Sequence, residues 1–296
     1  MAQKGYRRLM AAVVLLAVLG SVGYFIFRRS WGRPSSAEER LTVVTTLPLL
    51  AGLAERIGGP EVQVISIIQG GACAHGHEPT PREMAHLADA ALFIKAGAGL
   101  DPWADDLLSG LGAKRPPVVD ASYNVFGPGE ESTGVHYWGN PEKAAGAAEN
   151  ILHGLIILRP TKEDFFRRNY RIFRAELERM ATAFRAQAAG WRHKEVISYS
   201  AAFAPLLDYL GLVNLATVEA SHEEEVSPRR LVEVISLART RGIKVVVGET
   251  TAPRPAEVLA GEIGARVALL WPTGDPSGDY LHTLRENVKR LGEACR

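Results

Sequence analysis

TKEDFFRRNYRIFRAELERMATAFRAQAA, residues 161–189, decides how the chain on either side of it is arranged. It holds no Gly and no Pro, and Phe166, Tyr170, Phe173, Leu177, Met180 and Phe184 recur at spacings of four and three. That period lays one apolar stripe along a helix of roughly 40 Å, with Gly190 as the stop signal. A stripe of this kind serves either a coiled coil or a long helix packed on other elements. It is short for a coiled coil, and α/β sequence lies on both sides of it. Residues 161–190 are therefore read as a rigid connecting helix.

Upstream, strands and helices alternate. Residues 41–45 form a β-branched run, and a helical pattern over 47–57 stops at Gly58-Gly59-Pro60. Strands follow at 62–68, 91–95 and 117–120, and a helix at 101–111. Thr80-Pro81-Arg82-Glu83 opens a further helix with an N-cap, a proline at the first turn and the Glu of a capping box; Asn140-Pro141 repeats the cap-plus-proline signal and starts a helix to about Leu158. Downstream the rhythm resumes, with strands at 196–199, 213–218, 243–248 and 265–270 and helices at 201–210, 227–241, 255–263 and 278–291. Strand, crossover helix, strand in this order implies parallel sheets with right-handed connections. The fold class is α/β: a lobe over 41–160, the connecting helix, and a lobe over 191–296. A ligand cleft is expected between the lobes, facing the carboxyl ends of the strands.

Residues 9–27 are an uncharged apolar run, flanked by Lys4, Arg7 and Arg8 before it and Arg28, Arg29 and Arg33 after it. As a helix it would span about 28 Å, close to the hydrocarbon core of a bilayer. Gly20-Ser21-Val22-Gly23 offers small residues for signal cleavage, but the apolar run continues past them and no cysteine lies near its end for lipid attachment. Residues 1–40 are thus expected to form a cytoplasmic tail, an uncleaved transmembrane anchor and a polar linker. The basic flanks tie, so orientation follows the habit of single N-terminal anchors, with the body on the extracytoplasmic side of the cell membrane.

Composition narrows the function. The 296 residues are 47% hydrophobic and 23% charged, with 34 basic and 33 acidic side chains. Disorder is excluded, and so is the basic excess that nucleic-acid binding requires. Two cysteines, Cys73 and Cys295, cannot make a disulfide scaffold. The densest cluster of reactive side chains is Cys73-Ala74-His75-Gly76-His77-Glu78, in the loop before the Thr80 helix. Thiolate and imidazole are the preferred ligands of zinc, and alternate residues of an extended loop can aim two side chains one way. His136 lies among aromatics just before a capped helix, where a packed, hydrogen-bonded role competes with ligation. Glu249 follows a strand directly and could face the cleft. Gly97-Ala98-Gly99 lacks the third glycine of a dinucleotide fingerprint, and Ser200 has no Gly-x-Ser-x-Gly elbow.

Together, Thr45-Thr46-Leu47-Pro48-Leu49, His75-Gly76-His77-Glu78-Pro79-Thr80-Pro81, Asp101-Pro102-Trp103, His136-Tyr137-Trp138-Gly139-Asn140-Pro141, Ala201-Ala202-Phe203, Ser227-Pro228 and Gly278-Asp279-Tyr280-Leu281 resemble the zinc/manganese solute-binding proteins of ABC importers. The resemblance covers residues 41–291. It implies two α/β lobes bridged by one long helix, a metal between them, and an ABC permease as partner. Of the family's four ligands, the first two fall on His75 and His136. The third falls on Ser200 and the Asp falls on Trp271, neither an ordinary metal ligand.

Some members of the family place an Asp where Cys73 stands. A site of Cys73, His75 and His136, with His77 or water as the fourth ligand and Glu78, Glu249 and Ser200 as further candidates, would lie mostly on the first lobe. Its thiolate favours zinc over manganese. The expected function is a membrane-anchored, extracytoplasmic zinc-binding component of a metal ABC importer. The alternative is a non-transport interaction or sensor protein on the same scaffold, with metal binding lost or weakened. A metal-dependent hydrolase would need a positioned base, for which only Glu78 and Glu249 are at hand, so no enzymatic activity is expected.

Overall fold

The computed structural model describes residues 40–69, 76–127, 135–219 and 226–296. The expected anchor at 9–27 lies outside them; among the described residues no helix is long and apolar enough to cross a membrane. Residues 41–296 form one compact unit.

That unit is built on two parallel sheets. In the first, β1 (Leu41–Thr45), β2 (Val62–Ser66), β3 (Leu92–Lys95) and β4 (Val118–Asp120) lie in the order β2-β1-β3-β4. In the second, β5 (Glu195–Ser200), β6 (Val213–Glu219), β7 (Val245–Glu249) and β8 (Arg266–Leu270) repeat that order as β6-β5-β7-β8. Helices α1 (Pro48–Gly58), α2 (Pro81–Ala88), α3 (Trp103–Gly110) and α4 (Pro141–Leu158) belong to the first lobe. Helix α5 (Glu163–Ala189) leads to the second, which carries α6 (Ala204–Tyr209), α7 (Pro228–Arg241), α8 (Pro253–Ile263) and α9 (Tyr280–Cys295).

Local chemistry explains the helix starts. Thr80 and Glu83 form the reciprocal capping box of α2. The side chains of Asn140, Ser227 and Asp279 accept from Glu142 N, Arg230 N and His282 N at the heads of α4, α7 and α9. Several helix bounds depart from the sequence expectation: α3 is shorter at both ends and α8 begins two residues earlier, at Pro253. Residues 201–203 form a 3-10 turn before α6 begins, and α9 runs on to Cys295, four residues past Leu291.

The second sheet is covered on both faces, and its residues alternate between two cores. Val196, Val245, Val247, Ala268 and Leu270 join the core of the first lobe, whereas Ile197 and Val246 pack with Val218, Val234, Ala256 and Leu259. The first core therefore runs without a break from Val43 and Val44 through α5 into the second lobe. At the carboxyl ends of the strands, where a ligand cleft was expected between the lobes, three hydrogen bonds among the described residues join them at a seam. Leu49 N donates to Thr273 O at 3.3 Å, Trp138 Nε1 to Pro272 O at 2.8 Å, and Tyr280 Oη to Trp138 O at 2.8 Å. A cavity of about 30 Å³ remains between Leu49, Trp138, Phe203, Trp271 and Tyr280, room for about one water.

Candidate metal centre

Cys73 and His75 fall in residues 70–75, outside the described residues. Their loop returns to described chain at Gly76, and the other candidates can be placed.

His136 is 6% exposed and precedes a short 3-10 turn, Tyr137–Gly139. The turn is fixed from both lobes. Tyr137 Oη donates to Ala96 O at 2.9 Å, behind β3, and Trp138 is bonded through its indole N–H and its carbonyl to Pro272 and Tyr280 of the second lobe. Burial raises the Tyr137 hydroxyl well above its usual value, and the nearby Asp120 and Asp101 charges add to this, so it is a permanent donor here. The His136 ring meets the Trp138 ring edge-on at 5.3 Å. An imidazole in this position has little freedom to lose on taking up a ligand.

His77 is partly buried. Its Nε2 lies 3.1 Å from Glu83 Oε2, and its ring meets Trp103 at 4.7 Å. Glu78, one residue on, is exposed. In the second lobe Glu249 is half-buried at the end of β7 and accepts from the Thr251 hydroxyl at 3.1 Å. Ser200 is buried at the end of β5, where its Oγ accepts from Ala202 N at 3.2 Å and starts the 3-10 turn. Its hydroxyl has a structural task in the position where the family resemblance implies a ligand.

Trp271, the other such position, follows β8 directly. Asn287 of α9 brackets its backbone, Oδ1 accepting from Trp271 N and Nδ2 donating to Trp271 O, each at 2.9 Å. The Arg290 guanidinium lies 5.9 Å from the centre of its ring and donates to Leu269 O. The indole is thus part of the seam wall. Among the described residues no three His, Cys, Asp or Glu side chains gather closely enough to hold a metal ion. Sequence reasoning took Glu83 for a helix cap only, and it missed Asn287. The helical spacing of Asn287 along α9 carried no sign of its partner sixteen residues earlier.

Comparison with known proteins agrees with this architecture. The family model for the periplasmic zinc-uptake complex component A, ZnuA, matches residues 43–294. The high-affinity zinc uptake system protein ZnuA of Bacillus subtilis is 25% identical over 287 residues, covering 89% of this chain and 90% of that protein. The iron-binding protein YfeA of Yersinia pestis is 25% identical over 240 residues, covering 79% and 77%. A crystal structure of a ZnuA deletion mutant with zinc bound superposes with a TM-score of 0.77 at 25% identity, over 87% of this chain and 98% of that one. Two parallel-sheet lobes on one long helix, with a buried histidine at the seam and a match across nearly the whole described body, place the chain in the ZnuA family of periplasmic zinc-uptake components.

Proposed function

We propose that this chain captures zinc on the extracytoplasmic side of a membrane and delivers it to the permease of a metal ABC importer, anchored through residues 9–27. Zinc is the cargo, held by Cys73, His75 and His136, with His77 completing a tetrahedral set. The observation that carries this reading is the fixation of His136, a buried imidazole whose turn is clamped from both lobes. A thiolate with imidazoles suits zinc better than manganese. No residue in this reading acts as a catalyst.

Calorimetric titration of the purified chain with zinc tests it. The expected result is one tight site that His136→Ala weakens by at least tenfold. Absent zinc binding, or binding unaffected by His136→Ala, rejects the reading. The anchor is tested by extracting membranes with alkaline carbonate, which should leave the chain in the pellet.

Trp271 and Ser200 favour a second reading, an interaction or sensor protein that keeps the scaffold and binds metal weakly or not at all. Both positions serve the packing of the second lobe. A folded chain that takes up no zinc is the outcome this reading expects.

A further inference from the structure

A groove of about 200 Å³ lies where α4 and the bridging helix α5 meet the end of α6 in the second lobe. Its floor is apolar, made of the buried Pro141, Leu177 and Ala181. Its charged groups stand on the rim. The Arg185 guanidinium lies over the Tyr209 ring, 4.7 Å from the ring centre, and its Nη2 is 3.6 Å from Glu142 Oε1. At the far end Arg174 Nε donates to Glu178 Oε1 at 2.8 Å.

The two ends differ. Arg174 and Glu178 are joined by a closed hydrogen bond, whereas 3.6 Å is longer than one. Arg185 and Glu142 therefore stand side by side at the groove with bonding capacity to spare: a fork of donors and a carboxylate of acceptors. Burial raises the Tyr209 hydroxyl above its usual value even with the Arg185 charge beside it, so it stays protonated. Ala181 and Leu177 follow Arg185 at one and two helical turns, about 6 and 12 Å along α5.

This arrangement selects by charge and by shape. A plain carboxylate drawn to Arg185 would be opposed by Glu142 and Glu178, and a plain amine drawn to Glu142 would be opposed by Arg185. An α-amino acid carries an ammonium and a carboxylate on one carbon, so a single head group can meet both partners at once. An aliphatic side chain of three or four carbons would then cover Ala181 and reach Leu177. Small-molecule sites combine an apolar lining with a few convergent polar groups and favour domain junctions. We propose that this groove binds a zwitterionic α-amino acid of leucine size, its carboxylate on Arg185, its ammonium on Glu142 and its side chain along Ala181 and Leu177. The site shares no residue with the proposed zinc ligands, so it stands or falls apart from the zinc reading.

Calorimetry of the full chain tests it, with L-leucine as the probe and EDTA present so that metal chelation by the amino acid plays no part. One saturable site of millimolar or better affinity is expected. 4-Methylpentanoate lacks the ammonium and 3-methylbutylamine lacks the carboxylate; each should bind about 10- to 100-fold more weakly. Arg185→Gln and Glu142→Gln each remove one charge from a side chain that is 57% or 72% exposed. Both variants should keep the wild-type melting temperature without ligand and lose leucine affinity by a similar factor. No saturable binding of L-leucine overturns the proposal. So does equal binding of the two analogues, or leucine affinity unchanged in Arg185→Gln.

Discussion

Asp101 holds the loop after β3 from within. Its buried carboxylate accepts from Ala96 N at 2.6 Å and Gly97 N at 2.9 Å. This contact turns the chain through three left-handed residues, Gly97, Ala98 and Gly99. The amides of Ala96 and Gly97 therefore point inward to a side chain, which is the structural counterpart of the missing phosphate fingerprint. Burial raises the Asp101 carboxyl against the pull of Thr46, Ala96 and Gly97. Asp101→Ala would leave the buried Gly97 N–H without its acceptor and Ala96 N–H with only the Thr46 hydroxyl, at 3.1 Å, and chemical denaturation should show a loss of about 1–3 kcal/mol. Asp275 has the opposite sign. Burial pushes it up too, but bonds from Ser277, His282 and Thr283 outweigh this and hold it below its usual value of 3.8. Its stabilisation is complete above that value and is lost as pH falls through the lower folded value. Thermal melting between pH 7 and pH 2 should show a steeper acid decline for the wild type than for Asp275→Asn, and superimposable profiles would refute this.

At the scale of elements, α5 shows what a periodic stripe can and cannot specify. Phe166, Tyr170, Phe173, Leu177 and Phe184 are buried as their spacing requires. Met180, however, is only partly buried, and Ala181 takes the central line beside Ala188, because a real helix turns slightly past an alternation of four and three. The stripe faces other helices of the same chain, and Phe173 meets Tyr280 of α9 edge-on. Helix α1 shows a closer approach. A Cβ built on Gly52 would lie 1.9 Å from Gly278 O, a backbone atom that cannot rotate away. Gly52→Ala should therefore force α1 from the strap before α9 and cost about 1–3 kcal/mol in a denaturant titration.

Across the whole molecule, the lobes are joined by more than the helix between them. Arg56 of α1 donates to Glu176 of α5 at 2.9 Å and to Asp279, the cap of α9, at 3.0 Å. These part-exposed pairs are worth roughly 0.2–1 kcal/mol each; the continuous core and the three seam hydrogen bonds carry the larger share. A ligand shifts a conformational equilibrium only by its difference in affinity between the two states. If zinc is held by the first-lobe donors proposed above, with Trp271 and Ser200 engaged in packing in the second lobe, metal should not close the molecule. Small-angle scattering is expected to give the same radius of gyration with and without zinc, and a contraction on zinc addition would show that the second lobe supplies a ligand.

By itself the sequence determined both sheets, the capped starts of α2, α4 and α7 and the long bridge, because periodicity and capping chemistry act between residues a few positions apart. The loop before α2 was legible as a metal candidate for the same reason: its donors are neighbours in the chain. The tertiary structure decided what distant residues do for one another. Asn287 reaches back to Trp271, Tyr137 crosses to Ala96, and Arg56 meets Asp279 across 223 positions. The hydrogen bonds that join the lobes at Pro272, Thr273 and Tyr280 are contacts of this long-range kind. Such pairs carry no local pattern, since their geometry exists only once two sheets and a helix have set the distance between them.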